Sequence, residues 1–406
     1  MTPGAVFFAL KGERFDGNQF VEDALEKGAA AVVTTRSDVA SPRVITVPDT
    51  LKALQALALK HRRTFTFPVL ALGGSNGKTT TKELLKAVLS RSFRVYATPG
   101  NYNNHIGVPL TLLSTPLDSE ILIVELGANH LRETAFLCQI AEPQYGLVTN
   151  TGKDHLEGFG NEENVARANA ELYAYLRERG GLAFVNGGDA TLMRHSEGLC
   201  RVYYGAAHTL AWAESVAASG LQPAFTLMPG KKSVSLKVFG CHNLTNALAA
   251  AAVGRFFGVP LMAITEALSS YIPVSNRSAI VAWQGATVVA DCYNANPSSM
   301  EAALREFAGL APAPRFAILA DMLELGPFAD KEHENILRLA VSFPNLGLAL
   351  TGRHFKKAAE TLQIEVPLFE TTEELKAWFS RHDWNGYHLL LKGSRLFALE
   401  KLLQAS

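Results

Sequence analysis

Pro68-Val69-Leu70-Ala71-Leu72-Gly73-Gly74-Ser75-Asn76-Gly77-Lys78-Thr79-Thr80 passes from an apolar run through a glycine-rich turn into a helical pattern. Residues 68–72 read as a buried parallel strand, and 80–89 as a helix with Leu84, Leu85 and Val88 on one face. A strand, a glycine turn and a helix in that order make a phosphate cradle. Backbone N–H groups at the turn point at anionic oxygens, and glycine permits close approach and positive φ. Lys78 can reach β and γ phosphates, and the Thr79 hydroxyl can ligate Mg²⁺. A full Walker A pattern has an earlier glycine where this chain has Leu72, so the motif is the shorter Gly-x-x-Gly-Lys-Thr.

Around that strand the chain has ample core material. It is 406 residues long with 48% hydrophobic and 19% charged residues, more than one core usually organises, so two or three domains are expected. Lys+Arg and Asp+Glu are both 38, which leaves no basic excess for nucleic acid or an anionic membrane. The four cysteines (138, 200, 241 and 292) are far apart, without a Cys-x-x-Cys pair, and are expected to be buried reduced thiols. Without a basic leader or a long apolar run, a cytoplasmic protein with no membrane insertion is expected, and a monomer.

Strand-like and helical runs alternate throughout, which predicts an α/β fold. Residues 1–66 are expected to form a small α/β domain. Residues 67–273 would be a central P-loop ATPase domain with a doubly wound sheet, including strands at 121–126 and 146–149. Residues 274–406 would be a C-terminal Rossmann-like α/β domain with strands near 287–290, 316–320, 346–350 and 388–391. In such sheets ligands sit at strand carboxyl ends.

Candidate residues fall at those ends. Glu125 closes the run 121–124 and can bind Mg²⁺ or orient a water, or be only a solvated charge. His155, in Gly152-Lys153-Asp154-His155, follows another strand on the same sheet edge. The loop 98–107, with Asn103 and Asn104, can bind a polar substrate, although amide-rich turns often satisfy their own backbone. Asn246 opens an alanine-rich helix and can meet an adenine edge. Arg277 is a candidate phosphate clamp or an interdomain salt bridge. The segment Asp291-Cys292-Tyr293-Asn294-Ala295-Asn296-Pro297 concentrates polar groups at another strand end.

Taken with Phe7-Phe8-Ala9-Leu10-Lys11-Gly12-Glu13-Arg14-Phe15-Asp16-Gly17, Thr80-Thr81-Lys82-Glu83, Gly100-Asn101-Tyr102-Asn103-Asn104-His105-Ile106-Gly107, Glu125-Leu126-Gly127-Ala128-Asn129, His155-Leu156-Glu157-Gly158, Asp321-Met322-Leu323-Glu324-Leu325-Gly326 and Lys392-Gly393-Ser394-Arg395, the chain resembles the Mur ligase family almost end to end. Within it, the Asn103-Asn104 loop resembles the dipeptide-adding branch. The resemblance implies an N-terminal sugar-nucleotide domain, a central ATPase domain and a C-terminal ligase domain. It also implies ATP- and Mg²⁺-dependent joining of D-alanyl-D-alanine to UDP-N-acetylmuramoyl-tripeptide in peptidoglycan precursor synthesis. Lys78, Glu125 and His155 would be catalytic; Gly74, Ser75, Asn76, Gly77, Lys78, Thr79 and Thr80 would hold the phosphates with Arg277; Asn246 would meet adenine and Asp291 ribose. Thr79 and Glu125 would serve one Mg²⁺ and His155 a second. Asn103, Asn104, Tyr293, Asn294, Asn296, Lys392, Ser394 and Arg395 would face the substrates.

The chain departs from that pattern at two places. Asn169 stands where the family has a lysine, commonly carbamylated, that supports the second Mg²⁺, so a weaker or differently built second site is expected. The Asp-Ser-Arg segment usual just before Pro3-Gly4 does not appear, so a weaker grip on the UDP moiety is expected. The alternatives are a sibling amino-acid-adding ligase, a folylpolyglutamate synthase-like enzyme, or an inactive nucleotide-binding homologue.

Overall fold

The computed structural model describes all residues except Arg14, 218–220, 274–275, 311–312 and 405–406. Arg14 of the quoted N-terminal segment, and the start of the expected third domain at 274, therefore lie outside the described residues. The α/β expectation holds: three sheets are parallel or nearly so, with helices between their strands.

The first sheet is small and parallel, in the order β1 (Val6–Phe8), β2 (Ala31–Thr34), β3 (Val44–Thr46). After it the Thr50–Arg62 helix, capped by the Asp49 carboxylate accepting from Lys52 N, leads to the next sheet. The buried Arg62 at its end donates to the carbonyls of Ala141 and Glu142, both at 2.7 Å, fastening this part to the central one.

The central sheet comprises β4 (Val69–Gly73), β5 (Val95–Ala97), β6 (Ile121–Glu125), β7 (Tyr145–Val148), β8 (Leu182–Asn186) and β9 (Cys200–Tyr204), in the order β5-β6-β4-β7-β8-β9 and parallel throughout. The chain leaves β4 toward one edge and later returns beside it as β7, so the order reverses at the end of β4, where a ligand crevice forms. Every residue of β4 is buried, as a central parallel strand requires. The following helix, Lys78–Leu89, starts two residues earlier than the pattern predicts. Gly77 caps it at φ 79°, letting the chain turn straight from the cradle into the helix. This helix packs on His242–Phe256, whose small side chains allow close approach; a Cβ on Gly254 would overlap Val88.

An antiparallel sheet, β10 (Trp212–Ala217), β11 (Ala224–Met228) and β12 (Lys232–Ser235), is a feature the sequence reading did not anticipate. Phe225, Leu227 and Val234 alternate inward from it and join the central core. The last sheet holds β13 (Ala279–Trp283), β14 (Ala286–Asp291), β15 (Arg315–Ala320), β16 (Leu346–Thr351), β17 (Leu368–Phe369) and β18 (His388–Lys392), ordered β13-β14-β18-β15-β16-β17. Only β13, at the edge, runs antiparallel.

All four cysteines are free, but the expectation that all are buried is corrected: Cys138 and Cys292 are buried, Cys241 is half-buried and Cys200 is exposed where the edge strand β9 begins. Among the described residues, no helix is long and apolar enough to cross a membrane.

Candidate active site

The β4 turn builds a cradle because its glycines have no alternative. Gly74 has φ 124°, and a Cβ there would overlap Thr149 Oγ1 and stand 2.8 Å from the Thr149 backbone nitrogen. At Gly77 a Cβ would lie 2.9 Å from the Asn246 amide. The turn is stitched to the neighbouring strand end: Ser75 N donates to Asn150 O at 3.0 Å, Asn76 N to Asn150 Oδ1 at 3.1 Å, and Thr149 Oγ1 to Asn76 O at 2.7 Å. Lys78 folds back so that Nζ donates to the carbonyls of Gly74 at 2.5 Å and Ser75 at 3.1 Å. These neutral acceptors leave its charge uncompensated by any carboxylate within ion-pair distance among the described residues.

Beside the cradle, Glu125 ends β6 almost wholly buried at 1% exposure. Its Oε1 accepts from Asn103 Nδ2 at 2.9 Å and from Thr79 Oγ1 at 3.3 Å. Its Oε2 has no hydrogen-bond partner, although Lys82 Nζ is 3.3 Å away. Asn103 thus faces Glu125, whereas Asn104 takes the turn-forming role: its Oδ1 accepts from the amides of Ile106 and Gly107. Asn246 donates to Asn243 Oδ1 at 2.9 Å against Gly77.

The third sheet brings its own strand ends to the same place. Asp291 is held by protein groups, with Lys392 Nζ at 2.5 Å from Oδ2 and Ser278 N donating to Oδ1 at 3.0 Å. Burial works against the Asp291 charge, but Lys392 beside it wins and holds the carboxyl below the usual range. Arg277 has no salt bridge among the described residues. Its guanidinium carbon lies 3.6 Å from the centroid of the Tyr293 ring, with Arg395 at 4.8 Å from the same ring, and Arg277 Nε is buried without a partner. Ser394 Oγ accepts from Leu323 N at 3.0 Å.

A polar seam joins the two sheets. Asn296, N-cap of the Pro297–Ala308 helix, donates from Nδ2 to Asn76 Oδ1 in the cradle at 2.8 Å and to Asp154 Oδ1 at 3.1 Å. Lys153 N donates to Ser298 Oγ at 2.7 Å. His155, in a left-handed conformation before the Leu156–Phe159 helix, places Nδ1 2.6 Å from Glu324 Oε2. Burial opposes the charge on His155, but Glu324 and Asp154 outweigh it and its pKa is raised. The same hydrogen bond holds the Glu324 carboxyl below its ordinary value.

One cavity of about 1180 Å³ is lined by Ser75 to Thr80, Asn103, Asn104, Glu125, His155 and Asn246 from one side and by Arg277, Asp291, Tyr293, Asn294, Asn296 and Lys392 from the other. Gly74, Ser394 and Arg395 do not line it. Asn169 does not line it either; its amide donates to Val165 O at 3.0 Å and stands 3.5 Å from Ser75 Oγ, bracing the cradle from behind the wall. Sequence reasoning missed Asp154, Glu324 and Lys82 as members of this constellation. Lys82 carried a signal, since it shares the apolar face of its helix with Leu85 and Leu89.

The donor set fits a nucleotide with a hard cation. Glu125 Oε2 is a buried anionic oxygen without a hydrogen bond, beside the Thr79 hydroxyl. Among the described residues no group of three His, Cys, Asp or Glu could hold a metal ion unaided. That suits Mg²⁺, which takes one or two carboxylates and completes its shell with phosphate oxygens and water.

Comparison with known proteins agrees along the chain. Residues 1–62 match the Mur ligase family catalytic domain, 72–254 the Mur ligase middle domain, and 276–395 the Mur ligase glutamate ligase domain. The UDP-N-acetylmuramoyl-tripeptide–D-alanyl-D-alanine ligase of Bacillus subtilis is 37% identical over 81% of this chain and 73% of its own. That of Escherichia coli is 37% identical over 83% and 76%. The crystal structure of MurF from Acinetobacter baumannii superposes with a TM-score of 0.90 at 30% identity, covering 99% of this chain and 90% of that one. MurF from Thermotoga maritima in complex with ADP gives 0.87 at 27% identity, covering 99% and 94%.

Proposed function

The chain belongs to the Mur ligase family, and from that premise we propose that it joins D-alanyl-D-alanine to UDP-N-acetylmuramoyl-tripeptide, consuming ATP, in cytoplasmic synthesis of peptidoglycan precursors. The observation that carries this reading is the single cavity in which the β4 cradle, the Thr79–Glu125 pair and the Asn103 amide face the strand ends of the last sheet.

ATP supplies the phosphoryl group that turns the substrate carboxylate into an acyl phosphate, with ADP leaving, and Mg²⁺ offsets the charge on the phosphates. The chain's residues do the positioning. Cradle amides from Ser75 to Thr80 face the phosphate chain, and Lys78, tied only to neutral carbonyls, can swing its charge toward the oxygens where negative charge grows. Thr79 and Glu125 are the residues that would hold Mg²⁺. Asn246 would lie against adenine and Arg277 against phosphate, its buried Nε being an unused donor. His155 would offer Nε2 to a second cation while Nδ1 stays on Glu324.

The amine of D-alanyl-D-alanine then attacks the acyl carbon, and phosphate leaves as the amide forms. Tyr293, Asn294 and Asn296 would present that amine, because they stand on the wall opposite the cradle. The seam from Asn296 to Asn76 and Asp154 ties that wall to the cradle, an arrangement that would help shield an acyl phosphate from water.

The test is phosphate release with ATP, Mg²⁺, UDP-N-acetylmuramoyl-tripeptide and D-alanyl-D-alanine, omitting each in turn, with mass spectrometry of the product. A pentapeptide product that needs every component supports the reading. Release that persists when the dipeptide is replaced by a single amino acid would move the chain to a sibling activity.

A further inference from the structure

The helix after the cradle carries a second lysine in a more costly place than the first. Lys82 is fully buried, at 0% exposure, and an ammonium withdrawn from water persists only with charged and hydrogen-bonding partners. It has three: the Gly100 carbonyl at 2.6 Å, Glu125 Oε2 at 3.3 Å and Glu83 Oε1 at 3.4 Å. Two of them belong to the site. Gly100 opens the loop that carries Asn103, and Asn103 returns to the other oxygen of the same Glu125 carboxylate at 2.9 Å. Lys82, the loop and Glu125 therefore form a closed circuit: ammonium to loop carbonyl, loop amide to Oε1, and Oε2 back to the ammonium.

We propose that Lys82 is a positioning residue that acts through Glu125. Its ammonium fixes the carboxylate's orientation and locks the 98–107 loop to it, so that cation binding and the substrate-facing loop are coupled. A lysine serving only to fill the core would be better replaced by leucine, since its neighbours Leu85 and Leu89 on that face are wholly apolar. The inference rests on the ligase reading, in which Glu125 holds Mg²⁺.

The experiment uses the full chain with Lys82→Met, and Lys82→Gln as a second variant that keeps a donor for Gly100 while removing the charge. Calorimetry follows ADP binding across a Mg²⁺ series, with ADP alone as the internal control. Removing a group that orients a metal ligand typically weakens the metal about 10- to 100-fold, so the half-effective Mg²⁺ concentration should rise by about that factor in both variants while Mg²⁺-free ADP affinity stays unchanged. A Mg²⁺ series superimposable on that of the unaltered protein overturns the proposal.

A second measurement needs no variant. In the unaltered protein, Mg²⁺ with ADP should slow amide hydrogen exchange across residues 101–107, and exchange unchanged by the ligand overturns the coupling. ADP affinity in the unaltered protein that ignores Mg²⁺ altogether would remove the premise that Glu125 holds Mg²⁺ beside the nucleotide, and the role of Lys82 with it, while the ligase reading stands or falls on phosphate release.

Discussion

The two cradle glycines should fail differently when a methyl group is added, and the difference can be worked from what each methyl meets. At Gly74 the φ of 124° is strained for any L-residue, and the new Cβ collides with Thr149, including its backbone nitrogen at 2.8 Å. Backbone strain of about 1–3 kcal/mol and overpacking of about 1–3 kcal/mol put the cost of Gly74→Ala at roughly 2–6 kcal/mol. At about 2–4 °C per kcal/mol for a domain of this size, the melting midpoint should fall by roughly 5–20 °C. Because a backbone atom is in the way, Thr149→Ala cannot restore it. At Gly77 the φ of 79° costs about 1–2 kcal/mol in the left-handed region, but the collision is with the end of the Asn246 side chain. Gly77→Ala should therefore lose stability modestly, and adding Asn246→Ser should recover the steric part, leaving the strain and the lost Asn246–Asn243 hydrogen bond, which the Asn246→Ser single variant measures. Thermal unfolding followed by circular dichroism, with calorimetry of ADP binding, reads both cycles. A Gly74→Ala protein that melts and binds like the unaltered one, or that Thr149→Ala fully restores, would refute the account of the cradle.

Lys78→Ala should leave the melting midpoint close to that of the unaltered protein, since only loop carbonyls are lost, yet cut phosphate release by at least about 100-fold, as loss of a charge-stabilising donor does. Arg62→Ala strands two main-chain acceptors under the N-terminal part, and urea unfolding should show a loss of about 3 kcal/mol, with a value near zero ruling out the anchor. The Asp291 pKa is depressed in the fold, so its contribution is present above the ordinary carboxylate value of about 3.9 and is lost as pH falls through the depressed one. The gap in melting midpoint between the unaltered protein and Asp291→Asn should thus be flat from neutral pH to about pH 5 and narrow below about pH 4, and a gap that widens in acid would contradict the pairing with Lys392.

What could be read from the sequence follows from how far apart the cooperating residues lie. The cradle was legible because strand, turn and helix are contiguous, and a glycine turn between an apolar run and an amphipathic helix permits few structures. Glu125 was legible as a charge ending an apolar strand. The antiparallel sheet was not, although Phe225 and Leu227 alternate, because its strands are short and its inner face joins a core built by remote elements. Glu324 and Asp154 were read as parts of motifs without partners, since nothing local says that residue 324 will meet residue 155. Arg277 reads from sequence as a phosphate clamp or an interdomain salt bridge, and its stacking over Tyr293 is set by the fold of the last sheet.

Asn76 links the two sheets at the cradle. Its amide nitrogen and carbonyl are both engaged by Asn150 and Thr149 of its own sheet, while its side-chain oxygen accepts from Asn296 of the other. The backbone of Asn76 is thus held from the end of β7, and its side chain reaches the last sheet's side of the cavity. A phosphate chain entering the cradle would contact the same turn that Asn296 holds, and Asn296 also holds Asp154, next to His155. The Asn76 side chain is thus the point where the cradle touches the wall across the cavity. On the proposed reaction, that contact puts the cradle and the opposite wall side by side where an acyl phosphate would have to be shielded from water.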